Sequence, residues 1–169
     1  MMNQYSKIDH EKLFWAKVDK TETCWNWTGY KDRRNYGQVR INTKGLYAHR
    51  ASWQFVNGPV PDGKLIDHMC HNPSCVRPDH LRVVNDKENN ENRRQTSNSS
   101  SGFRGVYWNK RRGDWEAKVC HNWKSIHVGF FSDLEDAKQA VIAKRLELFT
   151  HNDEDHNLQK IAENMEAAK

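Results

Sequence analysis

Long apolar runs are missing. No stretch of the 169 residues approaches the roughly 18 that a membrane-crossing helix needs, so the sequence excludes a helical transmembrane protein. The N-terminal MMNQYSKIDHEKLFW lacks the charged-then-apolar pattern of a secretory signal, and none is expected. Cysteine is scarce. Four are too few for a disulfide scaffold at this length, and their spacing suggests another use. Apolar residues are also in short supply: 36% of the chain, against 29% charged, with a mean hydropathy of -1.03. Such a chain cannot bury one large core; its length allows one domain or two small ones. Internal repeats are absent.

Basic charge is in excess. The net charge is +5, and its distribution is uneven: residues 1–94 carry 16 basic and 11 acidic side chains, 95–149 carry 9 and 6, and 150–169 carry 2 and 5. The two larger segments are therefore basic and the tail acidic. A basic excess concentrates polyanions, of which nucleic acid is the default. The stretch QTSNSSSG (95–102) has no apolar residue and is rich in serine, so it reads as a flexible linker between two modules.

The most informative stretch is IDHMCHNPSCVRPDHLRVVNDKEN (66–89). Cys70, Cys75 and His80 recur at intervals of five, with Pro73 and Pro78 stiffening the turns between them. Structural zinc takes four such ligands in a tetrahedron, and Cys24, far off in TCWNWTG, is the obvious fourth if the chain folds back. A segment this poor in apolar residues needs a brace, and metal binding supplies folding free energy directly. Around this loop the pattern reads strand, metal loop, strand, helix. Leu65-Ile66 leads a strand into Asp67-His68, residues 81–84 form a second strand, and a polar helix follows with Asn85 or Asp86 as its cap.

With D-H-x-C-x4-C-x4-H-x8-N in place, the segment resembles the HNH, or His-Me finger, nucleases, and most closely their zinc-containing homing-endonuclease branch. The resemblance implies a ββα-metal unit that hydrolyses phosphodiesters. Carried over by position, His68 matches the general base, Asp67 and Asn89 the ligands of a catalytic divalent ion, and Cys24, Cys70, Cys75 and His80 the structural zinc set. The sequence departs from the family name in having Asn89 where a histidine gives the last letter. A neutral imidazole near pH 7 can take a proton from an attacking water. A carboxylate with an amide suits Mg²⁺, which neutralises charge at the scissile phosphate.

Elsewhere in the first segment, residues 36–41 and 45–50 read as a hairpin around Asn42-Thr43-Lys44, and ASWQFV (51–56) as a short helix. Trp25, Trp27 and Trp53 are expected in the core. Lys31, Arg33, Arg34 and Arg40 are open between phosphate binding and a solvated face. His49-Arg50 resembles a His-Arg pair common in the same family, without an assigned role.

Residues 103–149 show period-two alternation at Trp115, Ala117, Val119 and again at Ile126, Val128, Phe130. Lys110-Arg111-Arg112-Gly113 and His121-Asn122 read as turns. Ser132-x-x-Glu135 reads as a capping box for a helix with Leu134, Ala137, Ala140, Val141 and Leu148 on one side. A three-stranded antiparallel sheet covered by one helix leaves a face carrying Arg104, Tyr107, Lys110, Arg111, Lys118, Lys124 and His127. The motifs FRGV, WxAxV and VGxF resemble the AP2/ERF DNA-binding domain, although Tyr107, Ser125 and His127 stand where the plant domain has arginine or tryptophan. That resemblance implies duplex DNA as partner. Cys120 is expected to be a plain thiol, and residues 150–169 to lie on the surface or fray.

The expected architecture is thus α+β. Residues 1–94 form a zinc-braced ββα-metal nuclease domain, 95–102 a linker, 103–150 an AP2-like sheet with one packed helix, and 151–169 an acidic tail. The expected function is Mg²⁺-dependent cleavage of double-stranded DNA, with a homing endonuclease in a phage or bacterial cell as the implied setting. No obligatory protein partner and no membrane are expected. A non-catalytic DNA-binding regulator is the main rival, and an RNA-binding zinc protein the third reading.

Overall fold

A computed structural model describes residues 9–93 and 100–167. The chain divides into two compact units, Met1–Val84 and Asn85–Lys169. Of the expected linker, residues 95–99 lie outside the described residues.

The first unit runs α1 (His10–Trp15), β1 (Val18–Lys20), β2 (Trp25–Trp27), β3 (Gln38–Ile41), β4 (Lys44–Tyr47), α2 (Ala48–Asn57), β5 (Leu65–His68), a 3-10 turn at Pro78–His80, and β6 (Leu81–Val84). Its strands pair as three antiparallel hairpins, β1–β2, β3–β4 and β5–β6. The β3–β4 turn is tighter than the sequence suggests. Asn42 and Thr43 alone make it, both at positive φ (46° and 67°), as a two-residue turn matched to strand twist requires. The helix after it begins three residues before the expected ASWQFV, directly at the end of β4.

Aromatics supply the bulk that a polar sequence otherwise lacks. Phe14, Trp27, Ala48, Ala51 and Val76 form the buried cluster, with Trp25 packed against it. Trp53 is half-buried and stands outside that cluster. Phe14 stacks on Trp27 at 4.9 Å between ring centroids. Gly37 is dictated by this tryptophan, since a Cβ there would stand 2.5 Å from its ring.

The second unit runs α3 (Asp86–Glu91), β7 (Val106–Asn109), β8 (Asp114–His121), β9 (Lys124–Phe131), α4 (Leu134–Leu148) and α5 (Asp153–Ala167). Strands β7, β8 and β9 form one antiparallel sheet, and α4 covers one face through Ala137 and Val141, packed on Val106, Ala117 and Val119. The cap of α4 is Asp133, not Ser132. Its carboxylate accepts from the N–H groups of Glu135 and Asp136 at 2.6 and 3.2 Å, and an acidic cap also suits the helix dipole.

The acidic tail departs from expectation at its start. Asn152 and Asp155 are buried, and Asp155 pairs with Arg145 of α4 at 3.4 Å and accepts from Asn152 Nδ2 at 2.7 Å. A buried arginine needs an anion, and the tail provides it.

Candidate metal cluster and active site

The expected zinc ligands converge although Cys24 is 46 residues before Cys70 in the chain. The cause is backbone pairing. The metal loop runs antiparallel along β2: Trp27 N–H donates to the Ser74 carbonyl at 2.8 Å, Val76 N–H to the Trp25 carbonyl at 2.7 Å, and Asn26 bridges Cys75. Asn72 reinforces this, donating to Asn26 Oδ1 at 2.9 Å and accepting from Ser74. Arg77 donates to the carbonyls of Glu22 and Thr23, just before Cys24. Ser52 of α2 donates to the Val76 carbonyl, fastening the other side of the loop.

One donor atom each from Cys24, Cys70, Cys75 and His80 lies within 4.8 Å of all the others. His80 Nδ1 is 3.7 Å from the sulfur of Cys24 and 3.6 Å from that of Cys75. A zinc tetrahedron with its usual bond lengths has edges of roughly 3.5–3.8 Å, so the donor types and the two His80 distances fit that ion. A hydrogen bond from Cys70 is the largest influence holding the Cys75 thiol down, to about 4, while the same contact pushes Cys70 up.

Asp67 and His68 end β5 and are both buried. Strand geometry sends adjacent side chains to opposite faces. Asp67 lies opposite Arg82 in the β5–β6 register, and Arg82 donates to Asp67 Oδ2 from Nε at 3.1 Å and Nη2 at 2.9 Å. His68 Nε2 lies 3.0 Å from the Cys75 carbonyl. A carbonyl only accepts, so Nε2 carries the proton and Nδ1 the lone pair. Burial pushes the His68 imidazolium below the ordinary histidine range; the Cys75 carbonyl and the charges of Cys75 and Asp67 offset this only in part.

Residues that sequence reasoning left without a role surround His68. His49, in the first turn of α2, is 6% exposed, meets His68 edge-on at 4.7 Å, and has a buried Nδ1 with no hydrogen-bond partner among the described residues. Burial, then the neighbouring His68 and Arg50, push it down to about 3, so it is neutral. Tyr47 stacks on His49 at 5.5 Å, and Tyr36 sits 5.9 Å from His68. Burial first, then the Asp67 and Asp32 carboxylates, raise the Tyr36 phenol above 10. The His-Arg pair was the only sequence signal for this cluster.

Asn89 lies in the second unit, on α3, whose start is fixed by a capping box: Asn85 Oδ1 accepts from Glu88 N–H at 2.9 Å, and Glu88 accepts from Asn85 N–H at 2.7 Å. The end of α3 is fixed by distant residues. Arg104 donates to the carbonyls of Asn90, Glu91 and Arg93 at 2.8, 3.1 and 2.6 Å. The Glu91 carboxylate, 4% exposed, meets Lys87 Nζ at 2.7 Å, the Thr150 N–H at 3.0 Å and hydroxyl at 3.1 Å, and His121 Nδ1 at 3.5 Å. Burial alone would raise the Glu91 carboxyl, but the bonds from Lys87 and Thr150 hold it below its usual range.

The seven residues expected on the open sheet face separate. Tyr107 is 51% exposed, and Lys118 lies opposite His127 on the face away from α4. Both Lys118 and His127 meet Glu116, at 2.8 and 3.6 Å. Lys110, Arg111 and Lys124 are exposed at turns and strand ends. Arg104 instead turns to α3, as described. Arg112 lies over the Phe130 ring at 3.9 Å on that same sheet, a contact no sequence pattern signalled.

The family model described as HNH endonuclease matches residues 46–91. The chain is 37% identical to Protein 3.8 of Escherichia phage T7 over 98 residues, 55% of this chain and 78% of that protein. It is 37% identical to Protein 7.7 of the same phage over 70 residues and 34% identical to Protein 2.8 over 83, covering 41% and 48% of this chain and 54% and 56% of those proteins. No solved structure matches. No helix among the described residues is long and apolar enough to cross a membrane. Residues 46–91 are thus an HNH endonuclease domain, in a chain related to Protein 3.8 of phage T7 over more than half of its length.

Proposed function

We propose that this protein is a Mg²⁺-dependent endonuclease of double-stranded DNA, of the homing type, with His68 as general base. The observation that carries the reading is the His68 Nε2 contact to the Cys75 carbonyl, which fixes the tautomer and leaves Nδ1 to accept a proton from water. Burial keeps the ring neutral, and so competent, at neutral pH.

Asp67 and Asn89 are the residues that would hold the catalytic divalent ion. A hard cation there would neutralise charge on the phosphate and the departing oxygen. Arg82 fixes the Asp67 carboxylate by its Oδ2 edge. Cys24, Cys70, Cys75 and His80 would form a closed structural zinc site. It ties the Cys75 carbonyl, and hence the His68 ring, to β2. The sheet and helix of the second unit, with their resemblance to AP2/ERF domains, supply a duplex-DNA contact surface through Tyr107, Lys110, Arg111, Lys118, Lys124 and His127. The division 1–94, 103–150 and 151–169 describes these roles. The phage origin of the relatives fits action inside an infected bacterium.

A cleavage assay on duplex DNA with and without Mg²⁺ tests the proposal. His68→Ala should bind the duplex as wild type does and cut it about 10²–10⁴-fold more slowly. Equal cutting by His68→Ala removes His68 as the base. Tight duplex binding by a wild-type protein that cuts no DNA with any divalent ion favours the regulator instead.

A further inference from the structure

The segment 31–50 contains six cations, Lys31, Arg33, Arg34, Arg40, Lys44 and Arg50, and one acidic residue, Asp32. None of the six forms an ion pair among the described residues. In the second unit Lys118, Arg112, Lys138, Lys144 and Arg145 form ion pairs, while Lys110, Arg111 and Lys124 form none among the described residues. Asp32 is committed to its own turn, accepting from the N–H groups of Arg34 and Tyr36 at 2.8 and 3.0 Å. Of the ten first-unit cations without an ion pair among the described residues, five (Lys31, Arg33, Arg34, Arg40 and Lys44) lie on the β3–β4 ribbon and the turn before it, and Arg50 follows at the start of α2.

That ribbon has shape as well as charge. Its exposed side holds an open groove of about 450 Å³ with Tyr30 (72% exposed) and Tyr47 (43% exposed) among its walls. Arg40 lies opposite Gly45 in the register, and nothing stands within 4 Å of where a Gly45 Cβ would be. One end of the groove reaches the candidate active site through touching rings, because Tyr47 stacks on His49 and His49 meets His68.

We propose that the β3–β4 ribbon is the cutting unit's own DNA track. The phosphates of a duplex lie on Arg33, Arg34, Arg40 and Lys44, and the strand to be cut leaves the groove past Tyr47 toward His68. A two-stranded ribbon enters a DNA groove, whereas the deep, narrow major groove of duplex RNA excludes it. Charge complementarity selects a polyanion, and the ring path to His68 selects the substrate itself. Only the direction of the strand rests on the nuclease reading; the track does not.

The test uses the full chain carrying His68→Ala, so that the DNA stays intact, and a short mixed-sequence duplex as probe. Each phosphate contact contributes about 0.9 to the slope of log affinity against log salt, so Arg40→Gln with Lys44→Gln should flatten that slope by about 1.8. Gly45→Glu, at a site with room for the side chain, should weaken binding about tenfold by placing an anion in the groove. Melting temperature and zinc content should match the parent, since all three positions are exposed. An unchanged slope together with unchanged binding by Gly45→Glu overturns the track, as does equal competition by duplex RNA. Wild-type cutting is scored separately. Slope loss without any cutting keeps the track and removes the nuclease; cutting without slope loss does the reverse.

Discussion

His49 and His68 are two imidazoles packed 4.7 Å apart in a buried pocket, and burial pushes both below the usual histidine pKa. For catalysis the consequence is a base that stays unprotonated at neutral pH. The rate should hold as pH falls through 6.5 and drop only below it, as His68 takes a proton. A rate that halves near pH 7, measured with Mg²⁺ saturating, would contradict the buried-base assignment. For stability the sign is set by the unfolded chain, which binds the proton that the folded His49 refuses. Folding free energy should therefore be full above 6.5 and decline by about 1.4 kcal/mol per pH unit as pH falls from 6.5 toward 3. Acid also weakens zinc ligation, so the measurement is a comparison: urea unfolding of His49→Gln should depend less steeply on pH than wild type across that window. At this scale the motif D-H-x-C-x4-C-x4-H, through its family resemblance, pointed to the HNH domain that the family model matches at residues 46–91. It was blind to Tyr36 and His49, which reach His68 from the loop before β3 and from α2, and to Tyr47, which stacks on His49; none of them leaves a spacing pattern of its own.

At the scale of elements, α3 shows a division of labour. Its N-terminus was legible, since an Asn85 side chain bonded to the third residue on is a local event. Its C-terminus was not, because the partners of Glu91 lie 59 residues away at Thr150, and Arg104 must cross back to three carbonyls. A six-residue helix is too short to hold itself together in water, so these tertiary bonds maintain it. Glu91→Ala leaves the half-exposed Lys87 without its anion and two Thr150 donors without an acceptor, and should cost roughly 1–3 kcal/mol in unfolding experiments. A loss below 1 kcal/mol would mean that Thr150 and Lys87 find water instead. Since Asn89 is the proposed ion ligand, the same variant should need more Mg²⁺ for half-maximal cutting, which a purely global destabilisation does not produce at a temperature where the protein remains folded. The helix cap of α4 carries the same lesson on a smaller scale. Ser132 and Asp133 are both good caps by type, and sequence alone does not choose between neighbours.

At the scale of the molecule, the two units differ in what would hold each one folded, and removal of the proposed zinc should distinguish their stabilities. The core of the first unit is small, and two of its members, Trp27 and Val76, are positioned by the loop that carries Cys75. Extracting the metal frees that loop, and with it go the Ser74 and Val76 bonds to β2 and the Ser52 anchor on α2. Structural zinc contributes roughly 10–16 kcal/mol of folding free energy in small domains, more than a core of this kind supplies alone. The second unit buries Val106, Ala117, Val119, Ala137, Val141 and Phe149 without any cysteine or histidine of the cluster. A strong chelator should therefore abolish one calorimetric transition and leave the other. Protease digestion of the chelated protein should then degrade residues before 84 while sparing a fragment that contains β7 to α5. Re-addition of zinc should restore both the transition and the His68 pocket, because the Cys75 carbonyl that orients the ring belongs to the same loop. Survival of both transitions after complete zinc loss would show that the Cys24, Cys70, Cys75 and His80 cluster is not what holds the first unit together.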